Sequence, residues 1–414
     1  MHYILQFISI FYNDIFKLEN LKKPIYHKSM ESKKKYVTLF FIMIVSFLSC
    51  AQKNTSNDFS TPADKNASKN VKLVMEYFAD EVYGKKIITG IMDCAWSDNI
   101  DMEAKVYADT GFYPALTGYD FIMLTKEDSK NWFHPTQIEK AKSFWSRGGL
   151  VSFCWHWLDP SAKSGNKASY KPEEISFRIP WNEKSKSLDT KSKDFSYIKK
   201  DLDTVAIYLQ ELQKEGIVVI WRPLHEARGN YGTVWGDGSV GNAWFWWGAS
   251  GSEPYKALYR YMFNYFTKEK NLHNLIWLWN GQGKEWYPGD DVVDIVGYDI
   301  YDDKNKNGAG ENYYKDLLDW CNSKKMTCIS EGGYVPSSLA LQKSQVTWLY
   351  YMIWNDNDNL LDDSSTDNDN FWGGTKFNSK DAKTVYSFNT DYQIKLGDDS
   401  LKKLFQKMEG NYGK

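Results

Sequence analysis

Between residues 87 and 354 the chain alternates short apolar runs, rich in β-branched and aromatic residues, with longer stretches whose apolar positions recur at helical spacing. Eight of the short runs read as strands: 87–93, 113–121, 150–156, 217–226, 275–280, 293–301, 327–334 and 348–354. Helical patterns separate them, such as 201–215 before the fourth run and 254–267 before the fifth. Regular strand–helix alternation is the mark of repeated βα units. Eight such units in about 300 residues predict an α/β fold, a (β/α)8 TIM barrel with long loops. An open doubly wound sheet is the alternative, but no glycine-rich phosphate loop follows the first strand, so it loses support.

Polar residues interrupt these runs at their C-terminal ends: Asp93, Asp120, His156, His225-Glu226, Asn280, Asp299, Glu331 and, as a polar-tipped aromatic, Trp354. Barrel enzymes build their sites at that end of the strands. Buried ionisable groups are costly unless paired, so their recurrence along one edge implies one site. Ile217-Val-Val-Ile-Trp-Arg-Pro-Leu-His-Glu226 is an apolar strand that breaks abruptly into Arg, His and Glu. Cys328-Ile-Ser-Glu331-Gly-Gly places a second carboxylate at a strand tip, followed by two residues small enough to leave room for a ligand. The bland reading of Glu226 is a structural ion pair with Arg222; for Glu331 it is a turn residue. Glycosidic cleavage needs one carboxylic acid to protonate the leaving oxygen and a second carboxylate to act at the anomeric carbon. Two strand-end glutamates meet that need.

Composition changes this picture little. The 414 residues suffice for one large domain, and a formal net charge of −2 with scattered basic residues gives no footprint for nucleic acid. The aromatic share is high, 16% with 18 Trp. Such rings are usually core, although sugar C–H faces also stack on exposed ones. Lys33-Lys34-Lys35 and the apolar run 37–48 form an export signal over 1–49, too short to span a bilayer comfortably. Residues 1–29 precede Met30, where such a signal would begin, and fit a misassigned start. The signal ends at Leu48-Ser49-Cys50, which resembles a bacterial lipoprotein signal with Cys50 lipidated. That resemblance implies an exported protein anchored to a bacterial membrane, facing the periplasm or displayed on the outer surface. The polar stretch 50–70 reads as a flexible tether, with order beginning near Val71 and a single domain over 71–414. Cys94, Cys154, Cys321 and Cys328 have no zinc-site spacing, so neither metal nor cofactor is expected.

The segments Trp221-Arg-Pro-Leu-His-Glu226, Trp244-Phe-Trp-Trp-Gly248, Val151-Ser-Phe-Cys-Trp-His156 and Ser330-Glu-Gly-Gly333 resemble the signature segments of family 26 of the glycoside hydrolases, typified by β-mannanases. The resemblance implies a retaining barrel hydrolase with Glu226 as acid/base and Glu331 as nucleophile. It further implies that Arg222 and Tyr301 lie near the nucleophile, that His156 and His225 contact sugar, and that Trp244, Asp299 and Trp354 line the cleft. The family usually has only a few residues between its His-Glu pair and the Trp-Phe-Trp-Trp segment. Here residues 227–243 intervene, placed to overhang the leaving-group side. The expected substrate is a β-1,4-mannan, galactomannan or glucomannan. A same-fold hydrolase of β-1,3-xylan or mixed-linkage glucan, and a non-catalytic glycan-binding lipoprotein, stay open as alternatives.

Overall fold

The computed structural model describes residues 58–95, 101–126, 136–163, 175–301, 308–333, 335–355 and 391–409. Eight parallel strands run in sequence: β1 (Ile87–Met92), β2 (Leu116–Asp120), β3 (Leu150–Cys154), β4 (Val219–Arg222), β5 (Leu275–Trp279), β6 (Ile295–Ile300), β7 (Met326–Gly332) and β8 (Tyr350–Ile353). Each pairs with the next, and β8 pairs back onto β1 through Ile88 opposite Tyr350, which closes the barrel. Among the described residues eight α-helices accompany them: α1 (Lys69–Tyr77), α2 (Met102–Thr110), α3 (Thr136–Ser146), α4 (Lys193–Lys214), α5 (Ser252–Asn264), α6 (Glu311–Trp320), α7 (Ser338–Ser344) and α8 (Asp399–Glu409). The eight expected strands all form, each shorter than its apolar run. A short strand, Gln393–Ile394, is added beside the start of β1.

Helix α4 shows why the elements form where they do. Its buried residues Phe195, Ile198, Leu202, Val205, Leu209 and Leu212 recur at alternating spacings of three and four, one stripe of a helix. Ser192 caps its start, accepting from the Phe195 amide at 3.1 Å, and Gly216 ends it at φ +71°. The helix therefore begins well before residue 201, where the apolar pattern alone starts it.

Strand alternation divides the core in two. Ile88, Met92, Leu116, Leu150, Cys154, Ile220, Ile276, Leu278, Cys328 and Met352 fill the barrel interior, while Val151, Phe153, Trp221, Trp277 and Trp279 face the helices. Among the described residues nine tryptophans are fully buried, most of them in that outer layer, so half of the 18 Trp are packing. Among the described residues only Trp235 and Trp244 are exposed tryptophans.

The tether expected over 50–70 is shorter than the sequence implied. From Asp58 onward the chain is described, and Asp64, Ala67 and Asn70 are buried against the barrel. The Ala63 amide donates to Asp294 at 2.6 Å, His273 pairs with Asp64 at 2.7 Å, and Ser68 caps α1. Polar composition suggested a linker, but these polar groups have specific buried partners. Residues 1–57, with the export signal and Cys50, lie outside the described residues. The other four cysteines are buried and none is in a disulfide among the described residues, and no described helix is long and apolar enough to cross a membrane.

Candidate active site

Inward positions on the strands determine what reaches the barrel mouth. Counting by twos from interior residues puts Asp120 on β2, Cys154 on β3, Arg222 on β4, Asn280 after β5, Asp299 and Tyr301 at the end of β6, and Trp354 after β8 on the inside. Glu331 is the exception. From Cys328 the count reaches Ser330, which would leave Glu331 facing the helices. A bulge in β7 corrects this. Tyr298 pairs with Ile329 and the next residue, Asp299, pairs with Glu331, and β8 shows the same slip. Ser330 and Glu331 therefore both face the interior.

Glu226 arrives by another device. Beyond β4, Leu224 and Glu226 adopt φ values of +54° and +48°, a left-handed conformation costly for such residues. The surroundings pin them there. Tyr255 donates to the Leu224 carbonyl at 3.0 Å, the Trp247 indole to the His225 carbonyl at 2.8 Å, and the Glu226 amide to the Asn280 carbonyl at 3.0 Å.

One carboxylate oxygen each from Glu226, Asp299 and Glu331 lie within 4.8 Å of one another. Burial pushes the Glu226 carboxyl well above the usual carboxylate range, and the charges of Asp299 and Glu331 push the same way against Arg222 and a hydrogen bond from Gln282. Glu331 has different company. The Arg222 guanidinium lies 2.8 Å from its Oε2, and the Tyr301 hydroxyl donates to its Oε1 at 2.6 Å. Burial and the adjacent Glu331 charge hold the Tyr301 hydroxyl well above its ordinary pKa, so it remains a donor.

Arg222 and Asp299 have no exposed side-chain surface. Arg222 thus lies beside the nucleophile as the resemblance implies, whereas Asp299 does not line the cleft; both brace the carboxylates from beneath rather than meeting substrate. Asn280 donates to both Asp299 oxygens at 3.0 and 2.8 Å, Ser330 donates at 2.6 Å, and Arg222 lies 3.5 Å away. Burial, reinforced by Glu331, pushes Asp299 up to about 7.

On the opposite wall His156 Nδ1 meets Asp120 Oδ2 at 2.5 Å, and His156 Nε2 lies 3.2 Å from His225 Nε2. Burial disfavours a charged His156, but Asp120 outweighs it and raises the imidazole; burial, His156 and Arg222 all lower His225. The consistent proton assignment is an Asp120 carboxylate, a His156 imidazolium donating to His225, and a neutral His225. Trp354 and Phe245 stand edge-on to His156 at 5.8 and 5.9 Å, and Trp244 is exposed at the rim. Asp120, Cys154 and His156 sit close enough to suggest a metal cluster. The Asp120–His156 bond already uses those donors, and near Glu331 the positive charge is supplied by Arg222.

Gln282 is the contact that the sequence did not reveal: its amide donates to Glu226 Oε1 at 3.2 Å from a residue at φ +61°. Its only sequence signal is the flanking Gly281 and Gly283, which mark a tight turn.

A carboxyl held as an acid, beside a second one addressed by a fixed cation and a phenol, is the asymmetry that the retaining barrel glycosidases require. The chain belongs to glycosyl hydrolase family 26, whose profile matches residues 63–370. A mannan endo-1,4-β-mannosidase of Thermothelomyces thermophilus is 30% identical over 80% of this chain and 61% of the relative. One from Bacillus subtilis strain 168 is 25% identical over 78% of this chain and 90% of the relative. Among solved structures, a β-(1,4)-mannanase of Podospora anserina is 28% identical with a TM-score of 0.68, covering 84% of this chain and 71% of that one. A β-mannanase from a symbiotic protist of the termite Reticulitermes speratus, complexed with gluco-manno-oligosaccharide, is 28% identical with a TM-score of 0.65, covering 81% and 96%. The chain spans 61% of the Thermothelomyces relative and 47% of a Piromyces mannan endo-1,4-β-mannosidase B.

Proposed function

We propose that this chain hydrolyses internal β-1,4-mannosidic linkages of mannan, galactomannan or glucomannan with retention of configuration. The observation that carries the retaining reading is the oxygen separation within 4.8 Å, since inverting enzymes hold their carboxyls about 6.5–9.5 Å apart to admit water. Glu331 attacks the anomeric carbon while Glu226 gives its proton to the glycosidic oxygen, so that the leaving chain departs as an alcohol and a glycosyl ester forms. Glu226, now a carboxylate, takes a proton from water; the water oxygen attacks the anomeric carbon and Glu331 leaves. Arg222 and Tyr301 hold Glu331 in line for both steps. The His156 ring, partly exposed and held in place by Asp120 and His225, forms the wall against the sugar undergoing cleavage.

The names of the relatives support mannan as substrate. Products from mannan, glucomannan, β-1,3-xylan and lichenan decide it; release of reducing ends from the last two but from no mannan sinks the choice. Glu331→Ala should abolish cleavage of every substrate. Glu226→Ala should abolish mannan cleavage yet still release a phenolate leaving group, which needs no proton. Wild-type rates in both variants would leave a glycan-binding protein. The export reading is a separate part of the proposal: processing at Cys50 and lipid attachment would tether the enzyme to a bacterial membrane, facing the periplasm or outside. N-terminal mass analysis of the membrane fraction tests it, and an unmodified terminus other than Cys50 removes it.

A further inference from the structure

Nine large apolar residues are exposed among the described residues, and five of them, Tyr231, Val234, Trp235, Val240 and Trp244, fall within one fourteen-residue stretch. That stretch lies almost wholly in the insertion 227–243. Its backbone is a built hairpin: Gly232 donates to Gly241 at 2.9 Å, Gly241 to Thr233 at 2.7 Å, Trp235 pairs with Ser239 at 2.9 Å, and Val234 stands opposite Val240. Asn230 bonds the Asn242 carbonyl at 2.7 Å, and the Trp244 amide bonds Gly229 at 3.1 Å, so the base is closed.

The hairpin leaves the barrel at the acid/base. Gly229 donates to the Glu226 carbonyl at 2.8 Å, and the Trp244 indole lies so close over Gly229 that a Cβ there would meet the ring at 2.5 Å. Glu226 protonates the oxygen that departs with the leaving chain, so what projects from beside it flanks that chain. Exposed rings mark the projection from Trp244 at its base through Tyr231 to Trp235, 53% exposed near the tip. The polar groups among the rings are Thr233, Asp237, Ser239 and Asn242, and no Lys or Arg occurs from Gly229 to Tyr255. An anionic membrane or nucleic acid finds no attraction there. Flat, uncharged, hydroxyl-rich rings fit both the aromatic faces and the amide, hydroxyl and carboxylate groups between them.

We propose that hairpin 229–244 is a binding platform for the leaving-group side of the polysaccharide, with Trp235 stacking on a sugar beyond the one next to the cut bond. This rests on the assignment of Glu226 as acid/base. The test is Trp235→Ala in the full chain, with Trp235→Phe as the conservative control, on long glucomannan and on an activated aryl β-mannobioside that fills only the other side of the cleft. The alanine variant should raise KM on the polymer roughly three- to tenfold, the size of one aromatic contact, leave kcat unchanged, and leave the aryl substrate unaffected; phenylalanine should restore most of the loss. Unchanged polymer kinetics, or equal losses on both substrates, overturns the platform. So does a variant that loses only self-association or binding to neutral lipid vesicles. A wild-type chain that cuts none of the polysaccharides would fail the parent reading instead; retardation of the wild type and the Trp235→Ala variant in glucomannan gels then decides the platform by itself.

Discussion

At the scale of single residues, Glu226 must hold its proton until the leaving oxygen needs it, and Gln282 bears on that proton in two ways. Its N–H favours the ionised carboxylate, opposing burial and the charges of Asp299 and Glu331. By occupying Oε1 it also leaves Oε2 as the oxygen that carries the proton. Gln282→Leu is therefore expected to move the alkaline limb of the kcat profile upward in pH, because a lost donor makes Glu226 harder to ionise. It should also cost up to about a hundredfold in kcat on polysaccharide through misplacement of the acid, with little loss on an aryl glycoside whose leaving group needs no proton. Equal losses on the two substrates would instead mean a merely structural residue. Glu226 and Glu331 were legible in the sequence because an apolar strand ending in a carboxylate has few structural uses. Gln282 was not, because its role depends on a turn from a neighbouring strand that only the closed barrel brings alongside.

At the scale of elements, the strands were legible and their irregularities were not. A period of two places Arg222, Asn280 and Asp299 inward correctly but sends Glu331 outward, and only the bulge at Ser330 reverses it. Gly297 accommodates that bulge, since a Cβ there would lie 2.4 Å from the Ser330 hydroxyl. The N-terminal segment was misjudged for a different reason. Asn, Ser, Thr and Asp residues read as linker by composition, whereas Ser68 caps α1 and Ala63 satisfies a buried Asp294 oxygen whose partner oxygen takes the Trp277 amide at 2.7 Å. A chain beginning at Lys69 should lose about 2–4 kcal/mol from the missing cap and the unpaired buried acceptor, seen as an earlier midpoint in denaturant. Because Ala63 and Asp294 lie at the foot of the barrel, kcat/KM measured well below the transition should not change. An unaltered midpoint would return residues 58–68 to the status of tether.

At the scale of the whole molecule, the same burial that arms the site sets how stability depends on pH. Asp201 and Asp294 are each pushed up to about 6, and Asp299 to about 7, by burial that their partners only partly offset. In the unfolded chain these groups ionise near 3.8, so between about pH 4 and pH 7 the folded protein binds protons that the unfolded chain has released. Stability from these three acids is fully present below the unfolded value and is lost as pH rises through the folded ones. His156, raised by Asp120 against its burial, loses its contribution in the same sense at higher pH. His225, lowered mainly by burial, works in the opposite direction near neutrality. Asp203, held down to about 2 by Lys270, Tyr265 and Lys199 against partial burial, contributes in the opposite sense, with stability present above about pH 4 and lost only as pH falls toward 2, and it is largely solvent-screened. The expected melting temperature is therefore highest in mildly acidic buffer and declines toward neutrality. Asp299→Asn, which keeps a neutral side chain against Asn280, Ser330 and Arg222, should flatten the decline between about pH 6 and 7 and make it shallower between about pH 4 and 6, where Asp201 and Asp294 still contribute. A melting temperature that rises steadily from pH 4.5 to 7.5 in the wild type would mean that these buried carboxyls are ionised in the folded barrel, and that the acidity of Glu226 must be sustained without them.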